Sequence, residues 1–139
     1  MKTAQVSWIR GLQFAAESGS KHGIIIDSPS DPEDNGAGAS PMELLLVSVA
    51  GCTALDVVSI LQKKRQSLTS FQVRIEGERA EEHPRVFTKI HLRYIVNGRD
   101  ISEKAVKDAI ELSRQKYCSV SAMIGQVAEM TYETEIHKG

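Results

Sequence analysis

The stretch that decides the fold is residues 40–65, SPMELLLVSVAGCTALDVVSILQKKR. Its pattern predicts one long helix that is apolar on nearly every face, with Cys52 near its middle. A helix that is hydrophobic all round must be covered by other structure. At 1.5 Å per residue, about 25 residues form a rod of roughly 37 Å. That is longer than a chain of 139 residues comfortably surrounds. Either the helix protrudes or a second subunit covers the remainder, and we interpret the length as evidence for a homodimer.

Both ends of this stretch carry the signals of helix termini. Ser40 is suited to the N-cap, Pro41 to the first helical position, and Glu43 to the closing position of a capping box. The basic residues 63–65 lie at the other end, where cations interact favourably with the helix dipole. Glu43 lies on the side of the helix opposite Cys52, because each residue turns the helix by about 100°. Its capping role is therefore the simpler interpretation.

Composition and charge are those of an ordinary single domain, which we predict to span residues 1–139. Hydrophobic residues make up 41% of the chain and charged residues 25%, as in soluble globular proteins. The net charge is −1, from 17 basic and 18 acidic residues. No overall field would attract nucleic acid or an anionic membrane surface, so we expect neither among the partners.

The expected location is the cytoplasm. The first residues, MKTAQVSWIRG, lack the apolar core of a signal peptide. The apolar run of the central helix is interrupted by polar residues, namely Ser48, Thr53, Asp56 and Ser59. These interruptions predict a poor membrane span.

Shorter elements flank the central helix. We predict strands at residues 2–8, 12–16, 23–27, 71–80, 85–96 and 130–136, and helices at residues 100–118 and 119–124. Residues 28–39, SPSDPEDNGAGA, have the composition of a loop, either a functional loop or a mobile connector. Because the hairpins favour mostly antiparallel pairing, the predicted class is α+β.

Two of these elements allow more specific expectations. The first strand alternates so that Ala4, Val6 and Trp8 share one face, which predicts a half-buried strand. The second helix should begin at Asp100 as the N-cap, with Glu103 at the capping-box position.

The two cysteines, Cys52 and Cys118, pose the chemical question. In a reducing compartment a structural disulfide between them is not expected. They are therefore either buried small hydrophobes or a redox pair. Cys52 lies in the middle of its helix, and the helix dipole acts only within the terminal turns, so the helix itself does not activate this thiol. Cys118 lies between two predicted helices, where a helix N-terminus would favour its thiolate.

Asp56 lies one helical turn after Cys52 and shares its face. A carboxylate inside an apolar helix needs a cation or several hydrogen bonds. The candidate cations are Arg79, Arg85 and Lys89, any of which would also lie near Cys52. The alternative is an Asp56 that is bonded to backbone donors and has no catalytic part, and the sequence leaves both open.

Other catalytic and metal motifs are absent from the sequence. The four histidines, His22, His83, His91 and His137, have no spacing typical of metal ligands. The chain contains no P-loop, no dinucleotide-binding glycine motif and no G-x-S-x-G. We therefore predict no metal site and no bound cofactor.

The quoted helix, the second cysteine in KYCSVSAMI and the strand segment EEHPRVFTKIHLRY together resemble the OsmC/Ohr superfamily. The resemblance covers essentially the whole chain in the same element order. The EHPRVFTK segment resembles the OsmC-like branch of the YhfA type more than the Ohr enzymes themselves.

This resemblance implies a fold and an activity. The family fold is an intertwined homodimer, in which antiparallel sheets wrap around the two long cysteine-bearing helices. Characterised members are thiol peroxidases that act on organic hydroperoxides. On this chain the resemblance implies that Cys52 is the peroxidatic thiolate, which becomes a sulfenic acid. Cys118 would resolve it as a disulfide, which an external dithiol or lipoyl-type reductant would then reduce.

The chain departs from the family at the residues that activate the thiolate. The peroxidase members use an arginine of the N-terminal hairpin, held by a glutamate directly after the proline that opens the long helix. Here Met42 follows Pro41, the glutamate is displaced to Glu43, and Arg10 is only a loose counterpart of the arginine. Either Arg10 and Glu43 reach the site across the dimer, or Arg85 or Arg79 substitutes, or the branch has lost efficient peroxidase activity.

Three functions therefore compete. The first is a thiol-dependent peroxidase with a role in oxidative-stress defence. The second is a non-catalytic thiol protein that senses oxidants or binds an apolar ligand at the dimer interface. The third, a structural dimer with inert cysteines, accounts least well for the paired cysteine positions.

Overall fold

The computed structural model describes all residues, 1–139. The chain divides into two compact units, Met1–Leu45 and Leu46–Gly139. Its elements are, in order, β1 (Ala4–Arg10), β2 (Gln13–Ser18), β3 (Gly23–Ile26), α1 (Pro41–Lys63), β4 (Ser67–Arg79), β5 (Phe87–Arg99), α2 (Glu103–Leu112), a π-helical turn (Ser113–Tyr117), α3 (Ser119–Ile124) and β6 (Glu129–Lys138). The mixed α+β class predicted from the sequence is confirmed by these elements.

The first unit contains a three-stranded antiparallel sheet in the order β1-β2-β3. Gly11 turns the chain between β1 and β2 at a φ of 50°, a conformation that glycine adopts without steric cost. The expected half-buried β1 is wrong, because every residue of this strand is exposed and Trp8 is 69% exposed. Alternation predicts that one face is apolar, but it does not say that the same chain covers that face.

Helix α1 begins as predicted. The Ser40 backbone N–H donates to Glu43 Oε1 at 2.9 Å, and the Glu43 N–H donates to Ser40 Oγ at 3.2 Å, which closes the capping box. The helix ends at Lys63, slightly before the predicted end, and Arg65 adopts a φ of 57°. This positive φ is incompatible with continued right-handed helix.

In the second unit α1 buries one stripe. The buried residues recur every fourth position: Val49, Thr53, Val57 and Leu61. Residues four apart lie above one another on a helix, so this set forms a single stripe. By contrast, Val47 is 63% exposed and Leu55 is 76% exposed. The helix is therefore apolar on faces that this chain leaves open.

By length and composition α1 is able to cross a membrane, although only 22% of its most apolar window is buried. The predicted poor span is wrong on this criterion, because serine and threonine lower hydropathy little and Asp56 is the only charge between Glu43 and Lys63. Core helices of soluble proteins meet the same criterion.

The second unit contains the sheet β4-β5-β6, with β5 in the centre. Its core residues alternate along β5: Ile90, Leu92, Tyr94 and Val96 are each at most 1% exposed. β4 pairs with β5 antiparallel, whereas β6 pairs with β5 in parallel. The expectation of antiparallel sheets is thus wrong for one pair. The chain passes through α2 and α3 before β6, and such a crossover is what parallel pairing requires.

The N-cap of α2 also differs from the prediction. Ser102 caps the helix, with its side chain accepting from the Ala105 N–H at 3.1 Å. Asp100 instead has a φ of 49°, whereas an N-cap residue has extended backbone geometry. Glu103 is consequently the first helical residue.

Candidate functional site

The two cysteines, 66 residues apart in sequence, meet in the second unit. Cys52 Sγ, a carboxylate oxygen of Asp56 and Cys118 Sγ all lie within 4.8 Å of one another. Both cysteines are free thiols. The predicted proximity of Asp56 and Cys52 follows from their spacing of one helical turn. The proximity of Cys118 depends on tertiary structure, which the spacing of the residues alone does not reveal.

The π-helical turn and α3 position Cys118. Its backbone N–H donates to the Ser113 carbonyl at 2.8 Å, which closes the turn. The residue is also the N-cap of α3, and its Sγ accepts from the Ser121 N–H at 3.4 Å and from Ser121 Oγ at 2.9 Å. Cys118 is only 3% exposed, whereas Cys52 is partly exposed. A reagent from solvent therefore reaches Cys52 more readily.

Burial raises the pKa of the Cys118 thiol, and the adjacent Cys52 raises it further. The hydrogen bonds from Ser121 oppose this shift without overcoming it. The expectation that a helix N-terminus would favour the Cys118 thiolate is therefore wrong. Desolvation penalises the charged form of a buried thiol, and here it outweighs the two donors at the helix terminus.

Asp56 has a neutral partner, since Ser113 Oγ donates to its Oδ2 at 2.9 Å. It forms no ion pair with Arg79, Arg85 or Lys89. Of the two alternatives, hydrogen bonding is thus the one observed, although the donor is a hydroxyl and not the expected backbone.

The two arginines instead order the connection between β4 and β5. Arg79 Nε donates to the Arg85 carbonyl at 2.8 Å, and Arg85 Nε donates to the Ala80 carbonyl at 3.3 Å. Activation of Cys52 by either arginine stays a prediction.

A chain of buried hydroxyl groups leads to Asp56. Tyr94 Oη and Thr53 Oγ1 are 2.8 Å apart, and Thr53 Oγ1 and Ser113 Oγ are also 2.8 Å apart. An ionised carboxylate only accepts, and each hydroxyl carries one proton. Because Ser113 donates to Asp56, it accepts from Thr53, and Thr53 in turn accepts from Tyr94. The protons therefore all point toward the carboxylate.

Tyr94 begins this chain as a donor. Its burial raises its pKa from 10.0 to about 12, so the phenol keeps its proton at neutral pH. Its ring stacks on that of Tyr132 at 6.3 Å, and the Arg114 guanidinium lies 3.7 Å above the Tyr132 ring centroid. Arg114 lowers the pKa of Tyr94 slightly against the effect of burial.

The spacing of residues in the sequence does not predict this network. One signal was present: Thr53 occupies the buried stripe of α1, which is otherwise aliphatic. A buried hydroxyl almost always has a hydrogen-bond partner, so Thr53 alone predicts polar groups on the element that packs against it. Nothing in the pattern identifies Ser113 as that partner.

Arg10 and Glu43 belong to the first unit. Arg10 ends β1, where it pairs with Gln13 in the sheet register. Glu43 is engaged in the capping box of α1, as the sequence favoured. The activation of Cys52 by these two residues stays a prediction.

A cleft of about 450 Å³ adjoins the thiol site in the second unit. Its walls are formed by Asp56, Ser59, Ile60, Lys63, Lys64, Leu112 and Tyr117. The cleft combines apolar side chains with two cations, and Asp56 connects it to the pair of sulfur atoms. Asp56 is therefore the residue that the cleft and the thiol cluster share.

Comparison with known proteins identifies the family. The family model described as "OsmC-like protein" matches residues 33–133. The chain is 45% identical over 133 residues to "Protein YhfA" of Escherichia coli strain K12, which covers 96% of each chain.

Two solved structures show the same fold. A hypothetical protein from Aquifex aeolicus VF5 is 30% identical with a TM-score of 0.83, over 99% of this chain and 98% of the other. The organic hydroperoxide resistance protein OhrB of Bacillus subtilis is 14% identical with a TM-score of 0.65, over 97% and 98%. At that identity OhrB supports the fold alone. The chain therefore belongs to the OsmC-like family within the OsmC/Ohr superfamily, in the branch that contains YhfA.

Proposed function

We propose that the protein is a thiol-dependent peroxidase that reduces organic hydroperoxides. The observation that carries the proposal is the approach of two free thiols, Cys52 and Cys118, within 4.8 Å. Membership of the OsmC/Ohr superfamily suggests a redox or stress-related role. The catalytic roles follow from exposure, because the partly exposed Cys52 meets the peroxide while Cys118 is buried.

The reaction proceeds in three steps. The Cys52 thiolate attacks the outer peroxide oxygen, the O–O bond breaks, and the protonated alkoxide leaves as an alcohol while Cys52 becomes a sulfenic acid. Cys118 then attacks the Cys52 sulfur, and a disulfide forms with loss of water. An external dithiol, such as a lipoyl-type reductant, supplies two electrons and two protons and restores both thiols.

Three properties of the site support this sequence of steps. The sulfurs lie within 4.8 Å of each other, and a disulfide needs them to close to about 2.05 Å. Cys118 is only 3% exposed, so it does not compete with the partly exposed Cys52 for peroxide. The apolar walls of the adjoining cleft, formed by Ile60, Leu112 and Tyr117, favour organic peroxides over hydrogen peroxide.

A homodimer is part of this proposal. Leu55 and Val47 expose apolar surface on α1, and a second copy of the helix would cover it. Sedimentation should give a dimer for the wild type and a monomer for Leu55→Arg. Met123→Arg is the matched control, because Met123 is 66% exposed on α3, and it should remain dimeric. Equal mass for Leu55→Arg and the wild type would contradict this interface.

Asp56 favours a second candidate function. The charged side chain beside Cys52 is a carboxylate within 4.8 Å that is paired with a hydroxyl and no cation, whereas reactive cysteines lie next to a cation. This observation supports a non-catalytic thiol protein of the cytoplasm that senses oxidants or binds an apolar ligand at a dimer interface.

Peroxide consumption separates the two functions. Cumene hydroperoxide would be followed with dithiothreitol or a lipoyl reductant, for the wild type and for Cys52→Ser. A peroxidase gives rapid turnover that the variant lacks. Equal, near-background rates for both proteins would reject the peroxidase and leave the sensor or binding protein.

A further inference from the structure

We infer that the reduced thiol pair and Asp56 form a binding site for one thiophilic divalent cation, of which Zn²⁺ is the representative. The donors are two sulfurs and one carboxylate oxygen, all within 4.8 Å of one another. Neither the sequence nor the family resemblance suggested it, since Cys52 and Cys118 are far apart in the chain and the histidines lack metal spacing. The inference deepens the proposed function, because the same thiols would carry out the redox chemistry.

The geometry suits a tetrahedral ion. With Zn–S near 2.3 Å and Zn–O near 2.0–2.2 Å, the ligand atoms of such a site lie about 3.5–3.8 Å apart. The distances between the three donor atoms therefore need to shorten by roughly an ångström at most. Rotations of the Cys52 and Asp56 side chains would supply this movement, since both side chains are partly exposed.

The outer contacts of the site are those of a metal centre. Ligating carboxylates are usually oriented by a hydrogen bond to the other oxygen or to the same one. Ser113 Oγ orients Asp56 in this way, and the buried hydroxyls of Thr53 and Tyr94 fix Ser113. Cys118 Sγ accepts from Ser121 N–H and Oγ, as oriented thiolate ligands do.

The charge of Asp56 and its position beside a cleft also favour a cation at this site. Asp56 lacks a cationic partner within the chain, so a bound divalent cation would offset two of the three negative charges of the carboxylate and the two thiolates. Soft thiolates with one carboxylate select Zn²⁺ over Mg²⁺ and Ca²⁺, which prefer oxygen ligands. Asp56 also lines the 450 Å³ cleft, through which the ion enters and a water fills the fourth position.

Metal binding and disulfide formation exclude each other. A disulfide sulfur carries no thiolate charge, so oxidation of the pair releases the ion. Two coordinated thiolates plus one organic hydroperoxide and two protons give the disulfide, an alcohol, water and the free cation. The ion would hold the reduced pair and compete with peroxide for Cys52.

Anaerobic titration with Co²⁺ tests the inference on full-length reduced protein. We expect one Co²⁺ per chain, with a sulfur-to-cobalt charge-transfer absorption that Zn²⁺ displaces. Cys52→Ser should abolish that absorption. Asp56→Asn keeps an oxygen that accepts from Ser113, and it should weaken binding by tenfold or more, since even outer contacts cost about 10–100-fold. Asp108→Asn, which removes a carboxylate paired with Lys104 elsewhere in the unit, should bind as the wild type does.

The outcomes separate this inference from the proposed function. Affinity and absorption that are unchanged in Cys52→Ser or Asp56→Asn would overturn the metal site. A reduced wild type that turns over cumene hydroperoxide but binds neither Co²⁺ nor Zn²⁺ would also overturn it, while leaving the peroxidase intact. Binding with the expected variant pattern in a protein without turnover would support the metal site and reject the peroxidase.

Discussion

Cys52 and Cys118 have opposite surroundings although their sulfurs lie within 4.8 Å. Cys52 is partly exposed in the middle of α1, one turn from the carboxylate of Asp56. Cys118 is 3% exposed at the start of α3 and accepts two hydrogen bonds from Ser121. The comparison shows that proximity alone does not assign roles to two thiols. Exposure and local hydrogen bonding distinguish them, and under the proposed function the more exposed Cys52 is the thiol expected to meet a substrate.

The largest expected effect separates the two cysteines. Cys52→Ser should abolish turnover of organic hydroperoxide, whereas Cys118→Ser should consume about one peroxide per chain and then stop with Cys52 as a sulfenic acid. Stopped-flow consumption and a sulfenic-acid probe read by mass spectrometry measure this difference. The reverse pattern, with Cys118→Ser inactive in the first turnover and Cys52→Ser active, would exchange the roles.

Removing the hydroxyl chain should destabilise the region around Asp56. Thr53→Val leaves Tyr94 Oη and Ser113 Oγ without their shared partner, which costs about 1–3 kcal/mol of unfolding free energy. Tyr94→Phe removes one donor at the end of the chain and should cost about 1 kcal/mol. Urea unfolding measures both, and Thr88→Val, which removes an exposed hydroxyl on β5, is the control that should change little. An equal loss of unfolding free energy in Thr53→Val and Thr88→Val would show that the buried hydroxyl groups stabilise the protein no more than an exposed one.

The same network predicts that the stability of the protein depends on pH in the alkaline range. The pKa of Tyr94 is about 12 in the folded protein, against 10.0 ordinarily, so only the unfolded chain ionises this phenol between those values. Stability should be intact below pH 10 and should fall as the pH rises toward 12. Unfolding measured across this range in the wild type and Tyr94→Phe isolates the contribution. A decline that is identical in both proteins would assign it to other groups.

Removing the charge beside Cys52 sharpens the contrast between the thiols. Asp56→Asn takes away a negative charge within 4.8 Å of the sulfur, so alkylation of Cys52 by anionic iodoacetate should become faster relative to alkylation by neutral iodoacetamide, because a carboxylate repels an anionic reagent. The measurement is made in the Cys118→Ser background, with Asp108→Asn as the control. An unchanged ratio of the two rates in Asp56→Asn would contradict repulsion of the anionic reagent by Asp56.

The smallest expected effect concerns Cys118. Ser121→Ala removes the side-chain hydrogen bond that lowers the pKa of this thiol, so the pKa should rise further. In a Cys52→Ser background, the pH at which Cys118 is alkylated should therefore move upward. Ser119→Ala, at the neighbouring first position of α3, is the control. A downward movement would contradict the assigned direction.

The elements that could be predicted from the sequence are those with local causes. The capping box of α1 depends on Ser40 and Glu43 alone, and the alternation along β5 identifies Leu92 and Tyr94 as core residues without further information. The parallel pairing of β6 could not be predicted, because it depends on where the chain returns after α3. The exposure of Trp8 was missed for a similar reason, since alternation does not specify what covers a face.

In the candidate site, too, the contacts that could be predicted are the local ones. The pairing of Cys52 with Asp56 follows from their spacing on one helix, and the family resemblance pointed to Cys118. The roles of Ser113 and Thr53 could not be predicted, because their contact joins α1 to a turn about 60 residues away in the chain. The predicted direction of the Cys118 pKa shift was wrong for a similar reason. A helix N-terminus can be recognised in the local sequence, whereas the burial that raises this pKa depends on the whole fold.

Oxidation by one equivalent of cumene hydroperoxide tests the central claim most directly. The reduced protein would be treated without external reductant, and its free thiols and peptide disulfides would be measured by mass spectrometry. We predict the loss of two thiols per peroxide and a single disulfide between Cys52 and Cys118, which dithiothreitol reverses. Two thiols that remain free after the peroxide is added, or a Cys52 that oxidises to sulfinic acid without a disulfide, would contradict the account.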